Sequence, residues 1–171
     1  YPQEIYESGL SYHKPKVYAF GKLILWSMDK NIDPDLNVLT DAKINHIALA
    51  NPNTAPYGFA TVEVLKKLKL YHQIKDKLVF GESISQTNQF ISTGAAQIGI
   101  TAKSIVMSTE LTNKGYWIDL DKGIYTPIAQ SVVALKGDSG MQAEATKFFD
   151  YLFSTKAKEI LNKFGYSVPN Q

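Results

Sequence analysis

Short apolar, β-prone runs that alternate with helical stretches limit what this chain can fold into more than any other feature. Residues 17–26 (VYAFGKLILW) are rich in β-branched, aromatic and leucine side chains and read as one long strand, with Gly21 a bend within it. A short helix over 38–43 leads to a buried strand at 46–50 (HIALA), which breaks at Asn51-Pro52. Residues 58–68 place Phe59, Val62, Leu65 and Leu68 at three-residue intervals opposite Glu63, Lys66 and Lys67, the pattern of an amphipathic helix. A second helical piece at 71–75 precedes a strand at 78–80, a helix over 84–92 closed by Gly94, and a strand at 97–101 (QIGIT). A short helix over 102–107, a strand at 116–120 and a turn at Asp121-Lys122-Gly123 follow. Residues 128–135 (IAQSVVAL) read as a near-continuous apolar strand, and Gly137-Asp138-Ser139-Gly140 separates it from two closing helices. The first has an apolar face through Phe148, Phe149, Leu152 and Phe153, and the second, over 155–164, ends at Gly165. Such alternation specifies an α/β sandwich with a largely parallel sheet between helices, in which ligands bind at the carboxyl ends of strands.

The 171 residues, 44% hydrophobic and 20% charged, suffice for a core in one domain or two small lobes. No apolar run approaches the roughly 20 residues that cross a bilayer, and the opening YPQEIYESGL lacks the basic start and apolar middle of a signal peptide. The absence of cysteine excludes disulfides and thiolate metal sites. A net charge of +2 with lysines scattered along the chain does not make a nucleic-acid surface. All 18 basic residues are lysine, so the planar arginine fork is missing and any anion must be held by lysine, hydroxyls or backbone N–H groups.

Two helix starts carry the chemistry. Residues 51–58 (NPNTAPYG) run from a strand end into a helix with Pro56 as its first residue, which leaves the N–H groups of Tyr57 and Gly58, just after Ala55, pointing out of the helix start. In Glu82-Ser83-Ile84-Ser85-Gln86, Ser83 and Gln86 have capping-box spacing, with the serine accepting from the Gln86 N–H and the glutamine reaching back to the Ser83 N–H. The amides of Ile84 and Ser85 then face outward. Unpaired amides and a helix dipole of about half a positive charge favour an anion at such positions. Taken singly, each motif is more often only a well-made connection; the pair at equivalent strand ends says more.

Other candidates weigh less. Lys103 reads as a solvated lysine beside the expected cleft, and Tyr125, before Thr126-Pro127, as a packing residue. His13, His46 and His72 are dispersed and have no metal-ligand spacing, and no nucleophile elbow, phosphate loop or dinucleotide fingerprint occurs. An enzyme and a cofactor are therefore not expected.

The runs VYAFGKLILWS, IALANPNTAPYG, GESISQTNQFISTGAAQIGITAKS, YTPIAQSVVALK and FFDYLFSTKAKEILNKFGY, in this order, resemble the periplasmic molybdate-binding proteins of bacterial ABC importers. The resemblance implies a type II periplasmic-binding-protein-like α/β sandwich, two lobes with a tetrahedral oxyanion between them, and neutral hydrogen-bond donors without a countercharge. Carried over by position, it implies backbone donors at Tyr57 and Ile84, within an expected ligand-binding set of Ala55, Tyr57, Gly58, Ile84, Ser85, Thr101 and Ala102. Some members place a tyrosine hydroxyl where this chain has Ala102, so a side-chain donor there must come from Thr101, Ser85 or another group.

Family members begin with a longer front that carries two anion-binding serines. The expectation is one complete lobe, residues 25–128, joined to a remnant of the other, 1–24 and 129–171, whose bared apolar face is covered by self-association or a domain swap. The implied ligand is molybdate or tungstate, the implied partner a membrane permease, and the implied location periplasmic or extracytoplasmic, with a membrane anchor on the precursor an open expectation. A receptor for another oxyanion such as sulfate, a ligand-sensing regulatory domain, and a deaminase-like enzyme on the same scaffold are the alternatives. The last would need a cofactor-carrying cysteine, and the regulator a preceding helix-turn-helix.

Overall fold

The first apolar run forms two strands rather than one, β1 (Lys16–Gly21) and β2 (Leu23–Ser27), interrupted at Lys22. They belong to different sheets, so the chain must break its ladder between them. The computed structural model describes residues 2–11, 13–111, 114–137 and 139–169. It divides into two units, Lys22–Ile128 and a second made of Tyr1–Gly21 with Ala129–Gln171.

The Lys22–Ile128 unit is built on a five-stranded sheet. Besides β2 it holds β3 (Ile47–Ala50), β4 (Leu78–Gly81), β5 (Ile98–Ala102) and β6 (Tyr116–Asp119), in the order β4-β3-β5-β2-β6. β3 is parallel to β4 and to β5, whereas β2 is antiparallel to β5 and to β6. The sheet is thus mixed rather than largely parallel, with β2 running against the rest. Helical crossovers return the chain for each parallel neighbour: α2 (Pro56–Lys67) and α3 (Tyr71–Ile74) between β3 and β4, and α4 (Ile84–Ser92) between β4 and β5. The apolar content of β2 records burial on both faces and says nothing about direction.

Alternate residues of the strands face two cores. Leu23 and Leu25 pack with Ile47, Ile98, Ile100 and the Val64 and Leu65 side of α2. Ile24 and Trp26 pack with Ala48, Ile91 of α4 and Val106 of α5 (Lys103–Val106). In α2 the buried residues are Gly58, Ala60, Thr61, Val64 and Leu65, while Phe59 is 53% exposed and Leu68 38% exposed. The three-residue series read from the sequence drifts around the helix, because 3.6 residues make a turn; spacings of three and four together keep Thr61, Val64 and Leu65 on one side. Gly58 sets that side. A Cβ there would lie 2.2 Å from the Ala50 carbonyl oxygen, so only glycine lets the start of α2 rest on the end of β3.

Tyr125 closes the same core. Its hydroxyl accepts from the Leu23 N–H at 3.2 Å, and the residue is 8% exposed. Burial raises its phenol above the ordinary 10.0, the Leu23 amide opposes the rise, and Asp119 and Asp121 add to it.

In the second unit β1 pairs with β7 (Ile128–Val132). The apolar run stops being a strand at Val132 instead of continuing to Leu135, which makes a single bridge to Ser11 and is 56% exposed. α1 (Pro2–Glu7), α6 (Ser139–Tyr151) and α7 (Thr155–Lys163) complete it. Ser154 caps α7 by accepting from the Ala157 N–H, and Gly165, at φ +82°, ends it. Phe149 and Phe153 meet at 5.4 Å between ring centres beneath the Lys16 ammonium, whereas Phe148 of the expected apolar face is 61% exposed. Tyr1 of the opening segment and Asp138 of the expected turn lie outside the described residues.

Gly58→Ala is expected to destabilise the chain by about 1–3 kcal/mol, through the overpacking of α2 on β3, read as a lower urea midpoint at unchanged slope. Tyr125→Phe strips the Leu23 amide of its acceptor, and a loss of about 1–3 kcal/mol is expected at neutral pH. Because the folded chain holds the Tyr125 proton more tightly than the unfolded one, its contribution is complete below pH 10.0 and is lost as pH climbs through the raised value. Alkaline urea titrations should therefore show a shallower fall for Tyr125→Phe than for the parent, with Tyr18, also raised by burial and then by Tyr166, left to account for the remainder.

Candidate functional site

Parallel pairing brings the two helix starts to one edge of the sheet. Ala50 lies beside Gly81 in the β3–β4 register, so both strands end at the same level. One residue later the Asn51 N–H donates to the Gly81 carbonyl at 2.7 Å, and the Thr54 hydroxyl donates to the Glu82 carbonyl at 3.2 Å. The loops that feed α2 and α4 are therefore tied to each other before either helix begins.

The α2 loop is shaped by Asn51. Its side-chain Oδ1 accepts from the Asn53 N–H at 3.0 Å, and its carbonyl accepts from the amides of Thr54 and Ala55. Ala55 is the N-cap, in extended conformation and without a side-chain cap; its own amide is spent on Asn51. The amide of Ala55 is thus already bonded, and the first helical amides after proline belong to Tyr57 and Gly58.

At α4, Ser83 is the N-cap and its hydroxyl accepts from the Gln86 N–H at 3.2 Å, as the spacing predicts. The reciprocal bond differs: Gln86 Oε1 accepts from the Glu82 N–H at 2.7 Å, not from Ser83. Glu82 is the first residue beyond β4, and its amide needs a partner once the ladder has ended. Ile84, partly buried, and exposed Ser85 occupy the first turn, where the helix supplies no acceptor for their amides. Neither α2 nor α4 has an acidic residue in its first turn, so no carboxylate of the helix competes for the positive end of the dipole.

β5 ends beside them with Thr101 and Ala102, both buried. The Thr101 hydroxyl donates to Asn88 Oδ1, and Ala102 offers only a methyl group. Lys103 is not a solvated cation. Its ammonium pairs with Asp119 Oδ2 at 2.6 Å and sits 4.8 Å from the Trp117 ring centre, with the side chain 16% exposed, so its charge is consumed within the sheet edge. Tyr125 packs in the core as described above. Among the described residues no group of three or more His, Cys, Asp or Glu could hold a metal ion. The sequence does not show Thr54 as a tie between the loops, it suggests Ser83 rather than Glu82 as the donor to the Gln86 side chain, and it does not show Asn88 as the partner of Thr101; only the i+4 spacing of Asn88 from Ile84 points to that residue.

The chain as a whole has known relatives. The chain is 40% identical over 149 residues to the molybdate-binding protein of Rhodobacter capsulatus, covering 87% of this chain and 58% of that protein. It is 42% identical over 154 residues to the molybdate-binding protein of Azotobacter vinelandii, covering 88% and 60%. The solved Azotobacter vinelandii periplasmic molybdate-binding protein superposes with a TM-score of 0.88 at 29% identity, over 99% of this chain and 74% of that one. The chain thus spans about three fifths of the length of these curated relatives, and its architecture is that of the type II periplasmic binding proteins. The model of the bacterial extracellular solute-binding proteins matches residues 1–167, and the chain belongs to that family.

Proposed function

We propose that this chain is the oxyanion-holding part of a receptor that delivers molybdate or tungstate to the permease of an ABC importer outside the cytoplasm. The observation that carries the reading is the coupling of two helix starts, through Asn51–Gly81 and Thr54–Glu82, at the ends of adjacent parallel strands. The 40% and 42% identities to proteins named for molybdate support it. A dianion held there meets the amides of Ile84 and Ser85 on α4 and of Tyr57 and Gly58 on α2, each bond charge-assisted and fixed in place before the ligand arrives.

Recognition by neutral donors suits a tetrahedral dianion that must also be released. It needs no countercharge, which agrees with the chain's lack of arginine and with the commitment of Lys103 to Asp119. The chemistry is binding and not catalysis, and it calls for no cofactor. Discrimination against sulfate rests on the larger radius of molybdate and tungstate.

Amide spectra of the 15N-labelled chain, titrated with sodium molybdate at fixed ionic strength, provide the test. The Ile84 and Ser85 signals are expected to move most, tungstate to move the same set, and sulfate to move it less. Since these donors come from one unit and carry no countercharge, the dissociation constant should be weaker than micromolar by isothermal titration. Spectra in which millimolar molybdate leaves Ile84 and Ser85 unmoved, or moves chiefly the lysines, would end the proposal.

A further inference from the structure

The oxyanion reading leaves the end of β5 without a side-chain donor on the face that α2 covers. Ile98 and Ile100 face the α2 core, and Ala102, at the same parity, presents a methyl group. The opposite face is different. There Gly99 lies against Ile91 of α4, and Thr101, two residues on, directs its buried hydroxyl to Asn88 Oδ1.

Asn88 stands four residues after Ile84 in α4, so the two share a helix face one turn apart. Helical side chains lean toward the N-terminus, which carries the Asn88 carboxamide back toward the first turn and the Ile84 amide. The carboxamide's oxygen is occupied by Thr101. Its Nδ2 has no partner among the described residues, and the side chain is only half-buried, so two N–H donors remain available at the sheet's ligand edge. An amide whose oxygen is locked has its donor direction locked too.

We infer that Asn88 is a further donor to the bound oxyanion, with Nδ2 hydrogen-bonding the ligand beside the Ile84 amide, and that Thr101 is the positioning residue that holds this orientation. The inference rests on the oxyanion reading above and identifies the side-chain donor that Ala102 does not supply. The reversed carboxamide, with Oδ1 outward, would set an acceptor against a dianion and weaken binding, which is why the Thr101 contact matters.

The wild-type chain decides the matter through its own side-chain signals. On titration with molybdate, the Asn88 Nδ2 proton pair, assigned through its backbone, is expected to shift in step with the Ile84 and Ser85 amides. Asn88→Ala should weaken molybdate binding about 10- to 100-fold, as loss of a hydrogen bond to a charged group requires. Thr101→Val should weaken it by a smaller factor and broaden the Nδ2 pair as the carboxamide is freed to turn. If the Ile84 and Ser85 amides respond while the Nδ2 pair stays still, or if Asn88→Ala binds like the parent, the inference is wrong and the oxyanion reading stands. If those amides fail to respond in the wild type, the reading fails and this inference goes with it.

Discussion

The parallel pairing of β3 with β4, continued one residue further by the Asn51–Gly81 hydrogen bond, is the interaction on which the rest depends. Two neighbouring strands that end at the same level must each hand the chain to a connection, and in a parallel pair those connections are crossover helices. Two helix N-termini therefore start side by side as a consequence of the ladder, with no charged side chain needed to bring them there. Gly58 and Gly81 are part of the same construction. A Cβ at Gly58 would strike the backbone of Ala50 and Asn51, and one at Gly81 would strike the Thr87 amide and hydroxyl, so both helices press on the ends of their own strands.

Such a site has an electrostatic character that side chains could not easily reproduce. The partial charges are fixed by the backbone, are independent of pH, and carry no ammonium or guanidinium whose own desolvation would have to be offset. The lysine nearest in sequence to the end of β5 is drawn away: Lys103 spends its charge on Asp119 and its face on Trp117. On the proposed reading, neutral donors hold a dianion while leaving no opposite charge to trap it.

Local signals in the sequence were read well wherever the structure obeys them locally. The α4 range, its Ser83 cap and its closing Gly94 follow from hydroxyl, amide and glycine chemistry within a dozen residues, and so does Pro56 at the start of α2. What failed was decided by partners remote in the chain. The direction of β2 is set by its neighbours β5 and β6, not by its own apolar residues. The buried side of α2 is set by the contact of Gly58 with Ala50, which turns Phe59 outward despite its hydrophobicity. The Gln86 side chain accepts from the Glu82 N–H instead of the Ser83 N–H because β4 ends where it does, and the split between β1 and β2 reflects two sheets that no window of ten residues can show.

Asn88 shows the same division within a single residue. Its place on the Ile84 face follows from helix periodicity alone and is available to anyone counting by four. Its orientation is not, because the group that fixes it, Thr101, belongs to another element and reaches it across the α4 face of the sheet. An asparagine in a helix is, by propensity, a neutral to poor choice, and one fully exposed would gain nothing in exchange. Here the carboxamide replaces that small loss with a bond to a buried hydroxyl, and the bond orients the two remaining N–H groups. On the inference drawn above, a helix weakened slightly in its second turn places a donor near its first, a departure from local propensity of the kind found at functional sites.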